Sequence, residues 1–406
     1  MSSKHIEHLA GRRLMVGIRG AGPDDTAFRQ DLDACREARV GGIILFDVDV
    51  PQMRAAMARG ARADEARTQA TRNITSPAQL RELTGLLRDA LGPDLLIAID
   101  QEGGAVARLN PSRGFAATPS AAEFARLAPD AQVAAADALA GAVADAGIDI
   151  NFAPCVDLAL NPDSDVIAGA GRAFSADPEV VITCARRIID AHARAGVTTC
   201  LKHFPGHGSA RADSHESLPD ITDSHQPELE LAPYRALLGY PPTPWGARGY
   251  PPTPWGASGY PPTPWGARST SPHPAEAPPR SVGAPMVMTG HLLHRALDPH
   301  LPASLSPAIT TGLLRNQLGF GGVIITDSLD MRAIRDRFSA AEAAILALRA
   351  GADIALDGHN LTADRPCEAV ALRDAIARAA RDGALDPEAL AASAARADRL
   401  CGNRGR

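Results

Sequence analysis

The chain has 406 residues, of which 45% are hydrophobic and 22% charged, a composition typical of a globular protein with a large core. A formal net charge of −6 excludes a broadly basic surface, so we expect no nucleic-acid partner. Barrels built from alternating strands and helices often exceed the usual domain size, so one domain with insertions is compatible with this length.

The amino-terminal segment 1–14 carries charges throughout and lacks the run of about 7 to 15 apolar residues that a signal peptide needs. No later segment reaches the roughly 18 apolar residues of a membrane span. We therefore expect a cytoplasmic protein without membrane attachment. The six cysteines form no CxxC pair and no zinc-ribbon spacing, so we expect buried free thiols rather than a metal centre.

Short apolar runs alternate with longer stretches of helical periodicity, a pattern typical of repeated strand–helix units in a parallel sheet. The predicted strands are 14–18, 41–46, 95–100, 148–154, 197–203, 285–291, 323–327 and 353–356. The predicted helices include 77–91, 121–146, 178–195, 307–318 and 340–350. The pairs Ser76-Pro77, Asp177-Pro178 and Ser306-Pro307 each combine an N-cap residue with proline at the first helical position.

Eight strands followed by helices predict a single-domain (β/α)₈ TIM-type barrel, although an open doubly wound sheet gives a similar string. Polar residues favour the barrel because they follow the strands, and strand ends converge on one face of a barrel. These polar residues are Asp100-Gln101-Glu102, Lys202-His203, His291 and Asp327-Ser328.

Two segments interrupt the pattern. Residues 47–71 form an Ala/Arg-rich insertion that we expect to be partly helical and exposed, with no catalytic residue. Residues 239–280 contain the tandem decapeptides GYPPTPWGAR, GYPPTPWGAS and GYPPTPWGAR, followed by a Pro-rich tail. Three prolines in each repeat exclude a helix or a central strand. We expect a disordered insertion, and the alternative is a recognition strip that binds a protein or a glycan.

The densest group of reactive side chains is Lys202-His203-Phe204-Pro205-Gly206-His207-Gly208 with Asp213-Ser214-His215. Proline and glycine prevent a helix here, so the segment is a loop after a strand. An aspartate two residues before a histidine can orient the imidazole for proton transfer. Ordinary loop residues, or a zinc site of His203, His207, Asp213 and His215, are the alternatives, and the break at Pro205 weakens the zinc site.

Two further groups carry carboxylates at strand ends. Asp327 follows the run Ile324-Ile325-Thr326; it is either a helix cap or a nucleophile able to attack an anomeric carbon. Asp100 and Glu102 precede Gly103 and Gly104, and these glycines would let a ligand approach the backbone. Lys202 is one of two lysines against 39 arginines, so its presence suggests a function.

Together with Gly171-Arg172-Ala173-Phe174-Ser175 and Thr326-Asp327-Ser328-Leu329-Asp330-Met331, these groups resemble the glycoside hydrolase family 3 β-N-acetylglucosaminidases in order and spacing. The resemblance implies that Asp327 is the nucleophile, His215 the acid/base and Asp213 its orienting partner. It also implies sugar-binding roles, which fall on Asp100, Arg108, Arg172, Lys202 and His203.

The implied reaction is exo-hydrolysis of β-linked N-acetylglucosamine from peptidoglycan fragments with retention through a glycosyl-aspartate, without a metal or other cofactor. The partner would be a small carbohydrate, and we expect a monomer. One alternative is a phosphorylase acting on β-N-acetylglucosaminides or β-glucosides, because a neutral imidazole repels phosphate less than a carboxylate would. The other is a catalytically inactive barrel that serves as a scaffold.

Overall fold

The computed structural model describes residues 1–211, 214, 217–238, 285–361 and 365–401. The strands are β1 Leu14–Gly17, β2 Gly42–Leu45, β3 Leu96–Ile99, β4 Gln101–Gly103, β5 Val106–Ala107, β6 Ile150–Asn151, β7 Thr198–Phe204, β8 Met286–Thr289, β9 Ile324–Thr326 and β10 Ala355–Asp357. Within the described residues, eight of them form a parallel sheet in the order β10-β1-β2-β3-β6-β7-β8-β9. A parallel bridge between Ile325 and Ile354 joins the two ends, so the sheet closes into the predicted barrel.

Alternate side chains of each strand enter different parts of the core, as the two-residue period of a strand requires. On β2, Ile44 belongs to a cluster inside the barrel with Met15, Leu96 and Met286. Its neighbours Ile43 and Leu45 belong to the larger cluster between the strands and the surrounding helices. Every residue of β2 is buried, which explains why the strand has no polar alternation in its sequence.

The helices surround the barrel. They are α1 Ser3–Arg12, α2 Thr26–Ala38, α3 Val50–Ala58, α4 Ala63–Gln69, α5 Pro77–Leu91, α6 Ala121–Phe124, α7 Pro129–Asp145, α8 Pro178–Arg194, α9 Pro227–Glu230, α10 Ala232–Leu237, a π-helix Ala308–Gln317, α11 Arg332–Arg335, α12 Ala340–Ala350, α13 Ala369–Arg381 and α14 Pro387–Cys401. Short 3₁₀ turns cover Pro111–Arg113 and Ala303–Leu305. None of the helices among the described residues has both the length and the apolar character needed to cross a bilayer.

Two of the three predicted N-caps are confirmed: the side chains of Ser76 and Asp177 accept hydrogen bonds from the backbone N–H groups of Gln79 and Glu179. The third helix is a π-helix that begins at Ala308 with Pro307 as its N-cap, although Ser306 Oγ accepts from the Ile309 N–H. The helix predicted over 121–146 is wrong in one respect, because it is divided into α6 and α7. Ala128 has an extended backbone with ψ 151°, which is the conformation that the following Pro129 favours, so the helix cannot continue through it.

The segment 47–71 contains α3 and α4, in agreement with the expectation of partial helix. Its acidic residues at the start are not exposed. Asp47 is buried and pairs with Arg67, and Asp49 is buried and pairs with Arg72 at 3.0 Å. The segment is therefore held to the end of β2 by ion pairs. The predicted insertion 239–280 lies outside the described residues.

Candidate active site

The predicted site residues that the structure describes lie at the carboxyl ends of the barrel strands, where βα loops meet. Asp100 follows β3, Lys202 and His203 belong to the end of β7, and Asp327 follows β9. Arg108 and Arg172 reach this region from longer connections. Asp213 and His215 lie outside the described residues.

A hairpin made of β4 and β5 follows β3 and holds the first carboxylates. Gln101 fastens it: its side-chain oxygen accepts from the Leu109 N–H at 2.8 Å, and its amide nitrogen donates to the Leu109 carbonyl at 3.1 Å. Gly103 has φ +105°, and a Cβ there would lie 2.1 Å from the carbonyl oxygen of Pro119. The chain's own backbone therefore occupies the space that a side chain would need, which explains a glycine at this position.

Lys202 joins two carboxylates that the hairpin brings together. Its Nζ lies 2.8 Å from Asp100 Oδ1 and 2.7 Å from Glu102 Oε1. Arg172 binds Glu102 through two hydrogen bonds of 2.9 and 2.8 Å, and Arg108 lies 3.5 Å from Asp100. We call Asp100, Glu102, Arg108, Arg172 and Lys202 the charged cluster. It contains two carboxylates and three positively charged side chains.

The charged cluster keeps its members ionised despite their burial. Burial by itself raises the pKa of Glu102, but Arg172 and Lys202 outweigh it, so its pKa is lowered far below the ordinary value. The same balance lowers the pKa of Asp100, with Lys202 and Arg108 as the opposing charges. Burial lowers the pKa of Lys202, whereas Asp100 and Glu102 raise it more strongly. Both carboxylates are therefore acceptors near neutral pH.

The members of the charged cluster differ in side-chain exposure, and this difference indicates which of them can contact a ligand. The side chains of Glu102 and Lys202 are 4% and 3% exposed, whereas those of Asp100 and Arg108 are 17% and 23% exposed. Asp100 and Arg108 can therefore contact a ligand directly. Glu102, which was not among the predicted site residues, holds Arg172 and Lys202 in place. Its position two residues after Asp100 was its only signal in the sequence.

Asp157 is a second residue that sequence reasoning missed. It is buried, and its Oδ2 lies 2.7 Å from His203 Nδ1, while Oδ1 accepts from the His207 N–H at 2.7 Å. The carboxylate therefore requires a proton on His203 Nδ1, which leaves Nε2 to face an Arg172 guanidinium nitrogen at 3.4 Å. Burial raises the pKa of Asp157, but His203 outweighs it and the pKa is about 2.

Cys155, Asp157 and His203 have potential metal-ligand atoms within 4.8 Å of one another. Their hydrogen bonds already account for this arrangement. The Cys155 thiol donates to Asp157 Oδ2 at 3.4 Å, and that carboxylate also accepts from the His203 and His207 N–H groups. The Arg172 charge beside His203 also disfavours a cation. The donor set therefore fits a hydrogen-bonded support for His203 better than a metal site.

The zinc site considered for His203 and His207 is not favoured by the described residues. Their rings lie 5.8 Å apart, edge to face. His207 is buried, which lowers its pKa to about 4, and its Nε2 lies 3.3 Å from Ser214 Oγ. His207 is therefore a neutral support within the loop that leads to Asp213 and His215.

Asp327 and Asp330, the two acids of one motif, have different surroundings. The side chain of Asp327 is partly exposed, its own N–H donates to the Thr289 carbonyl, and its Oδ1 accepts from the Ser328 N–H at 2.7 Å. Asp330 is buried and accepts from Ser328 Oγ and from the backbone N–H groups of Asn360 and Leu361. Asp330 thus supports the loop, whereas Asp327 is partly exposed at the end of β9.

Asp100 and Asp327 follow β3 and β9 and therefore lie at the same end of the barrel. Burial raises the pKa of the Cys200 thiol, whose neighbour Lys202 opposes the shift, and the charges of Asp100 and Asp327 both add to it. His291 supports the same loop, because its two ring nitrogens lie 2.8 Å from Ser304 Oγ and from the Ser328 carbonyl. A carboxylate able to react and a group able to bind hydroxyls therefore lie at the same end of the barrel.

The sequence matches a family model described as the glycosyl hydrolase family 3 N terminal domain, over residues 29–241 and 281–400. The chain belongs to glycosyl hydrolase family 3. The predicted family and the prediction of a glycoside hydrolase are confirmed. The family match skips 242–280, which lies within the predicted decapeptide insertion.

Relatives in the family include beta-hexosaminidase A of Pseudoalteromonas piscicida, 32% identical over 70% of this chain and 44% of that protein. A beta-hexosaminidase of Xylella fastidiosa is 30% identical over 89% of this chain and 87% of that protein. Among solved structures, a family 3 beta-N-acetylglucosaminidase from Paenibacillus is 29% identical, with TM-score 0.74, and covers 98% of this chain. This chain spans 62% of that structure and less than half of the Pseudoalteromonas protein.

Proposed function

We propose that this family 3 chain is a retaining exo-β-N-acetylglucosaminidase. The observation that supports the proposal is that partly exposed Asp327 and Asp100 follow two strands of one closed parallel barrel, so both lie at the same end of it. Relatives named beta-hexosaminidase at about 30% identity support the acetamido sugar as substrate. The proposed natural substrate is an N-acetylglucosamine-containing peptidoglycan fragment, and the proposed setting is cell-wall recycling in the cytoplasm by a monomer.

In the proposed mechanism, Asp327 attacks the anomeric carbon while His215 protonates the leaving oxygen, through an oxocarbenium-like transition state. His215, oriented by Asp213, then removes a proton from water, which releases the sugar and frees Asp327. The Ser328 N–H donates to Asp327 Oδ1 at 2.7 Å, which helps to orient the carboxylate.

The charged cluster would bind the sugar before the reaction. Asp100, ionised and partly exposed, would accept hydrogen bonds from hydroxyl groups, and Arg108 would donate to oxygens of the same ring. Arg172 and His203 would bound the site from the side of β7, with the His203 tautomer set by Asp157. Lys202 would hold Asp100 in position beside the sugar.

A paired assay tests the proposal. The purified chain is given chromogenic β-N-acetylglucosaminide and β-glucoside substrates, each with and without phosphate. We expect turnover of the N-acetylglucosaminide, at least tenfold preference over the glucoside, and free sugar as product in both buffers. Sugar 1-phosphate formed only with phosphate would indicate the phosphorylase instead. No turnover of either substrate would favour the inactive scaffold.

A further inference from the structure

Glu230 is a buried carboxylate that the proposed mechanism does not use. It ends the short helix α9, is 1% exposed, and lies under the segment 205–211 that continues β7. Its Oε1 accepts from the Ser209 N–H at 3.2 Å, and its Oε2 accepts from Ser209 Oγ at 3.0 Å and from the Gln226 N–H at 2.9 Å. One side chain thus ties α9 to the middle of that segment.

Packing around Glu230 reinforces these hydrogen bonds. Gly206 has φ +137°, and a Cβ there would lie 2.7 Å from Glu230 Cβ, so the backbone rests directly on the glutamate. His225 Nε2 lies 3.3 Å from the Pro205 carbonyl oxygen and 3.6 Å from Glu230 Oε2. The opposite side of the segment is held by Asp157, which accepts from the His207 N–H. The segment is therefore fixed from two sides by carboxylates.

Burying the Glu230 carboxylate costs free energy that a residue with only a packing role would not require. Burial raises the pKa of Glu230 to about 7, because the site removes water and the donors that reach the carboxylate from the described residues, Ser209 and Gln226, carry no charge. An apolar side chain of similar volume would fill the space without that cost, but it could not accept from Ser209. The hydrogen bonds to the segment are what the glutamate adds.

We propose that Glu230 is a positioning residue, which fixes the backbone at Ser209 and so sets the path of the chain towards the acid/base. The inference depends on the proposed function, in which His215 is that acid/base. His215 follows Ser209 by six residues in the sequence, and Lys202 and His203 of the sugar site precede it. Glu230 therefore acts at the connection between the sugar-binding end of β7 and the proton donor.

Leaving-group dependence distinguishes positioning of an acid from a general structural effect. A substrate whose leaving group needs protonation suffers when the acid is displaced, whereas an activated aryl glycoside does not. The variants are E230Q, which keeps one acceptor oxygen, E230L, which keeps none, and S209A, which removes the hydroxyl donor alone. The matched control is D298N. Asp298 is equally buried and likewise accepts from two backbone N–H groups and a serine hydroxyl, but it contacts His300, Leu301 and Ser306 instead.

kcat/KM is measured for N,N′-diacetylchitobiose and for a 2,4-dinitrophenyl β-N-acetylglucosaminide, with circular dichroism to check folding. We expect E230Q to lose at least tenfold more activity on the disaccharide than on the activated glycoside, E230L to lose more, and S209A to lose less. D298N should change kcat/KM for the two substrates by the same factor. The proposal for Glu230 alone would be overturned if E230Q and S209A each lost kcat/KM equally on the two substrates. It would also be overturned if D298N showed the same preference for the activated glycoside as E230Q. Inactivity of the unmodified chain on both substrates would overturn the proposed function as well.

Discussion

Replacing Asp157 with asparagine tests whether the buried carboxylate sets the tautomer of His203. Asparagine preserves the shape, but its NH₂ group must face either His203 Nδ1 or a backbone N–H that now donates to the carboxylate. If it faces Nδ1, the imidazole proton moves to Nε2, which then points at Arg172. The substitution therefore disturbs a sugar-binding surface without removing any group from it.

The expected loss of stability can be worked from the pKa of Asp157, which is about 2 in the folded protein against an ordinary 3.8. At 1.36 kcal/mol per unit, the charged form contributes about 2 kcal/mol to folding. Because the folded pKa is the lower one, this contribution is present above about pH 4 and is lost as the pH falls through about 2. Roughly half of it is lost by pH 3. A mispaired amide adds a cost of about 1 to 3 kcal/mol.

The assay combines urea unfolding at pH 7 and pH 3 with steady-state kinetics at pH 7. We expect D157N to lose about 3 to 5 kcal/mol at pH 7 and somewhat less at pH 3, with kcat/KM lowered roughly 10- to 100-fold by the loss of one charge-assisted hydrogen bond. The control is D353N. Asp353 is also fully buried and pairs with Arg315 and Arg396, but it precedes β10 at the opposite end of the barrel.

D353N should lose stability and keep kcat/KM within about twofold, because side chains at that end of a barrel stabilise the fold and do not contact the active site. A folded D157N with unchanged kcat/KM would refute the role of Asp157 in orienting His203. If the difference in unfolding free energy between D157N and the unmodified chain were the same at pH 7 and pH 3, the charge of Asp157 would be refuted as the source of that difference.

Four other outcomes are expected. D327N should abolish turnover while the protein stays folded, because an amide cannot form the glycosyl ester, and near-normal kcat would exclude Asp327 as nucleophile. H215A should slow substrates with poor leaving groups far more than activated aryl glycosides, and equal losses would remove the acid/base role. A chelator should leave kcat unchanged; inactivation reversed by zinc would restore the metal hypothesis. Replacing 239–279 with a short Gly/Ser link should leave kcat/KM within roughly threefold, because loop closure costs only about 0.6 kcal/mol per doubling of length. A rise in KM confined to cell-wall fragments would instead indicate a glycan-binding strip.

Much of the fold could be predicted because its signals are local. Each barrel strand lies within or next to a predicted apolar run, and Ser76 and Asp177 cap their helices as expected. Runs of buried residues and N-cap hydrogen bonds depend on neighbours within about four positions, which a single sequence displays directly. The division of the helix over 121–146 also had a local signal, Pro129, which the apolar periodicity outweighed in the prediction.

The site could be predicted only in part, because its contacts join distant residues. The motifs by themselves determined which strand ends carry Asp100, Lys202, His203 and Asp327, and they identified the family. Only the tertiary structure decided what each side chain contacts: Lys202 and Asp100 are 102 residues apart, and His203 and Asp157 are 46 apart.

The same distinction explains the two acids of the motif after β9. Asp327 and Asp330 are three residues apart and chemically alike, yet one is partly exposed and the other accepts from Asn360, 30 residues later. Glu230 had no signal in the sequence, since its partner Ser209 lies 21 residues earlier across a loop. The sequence determined which strands form and which chemical groups they carry. Closure of the barrel decided which of those groups meet, because it alone brings the strand ends within hydrogen-bonding distance.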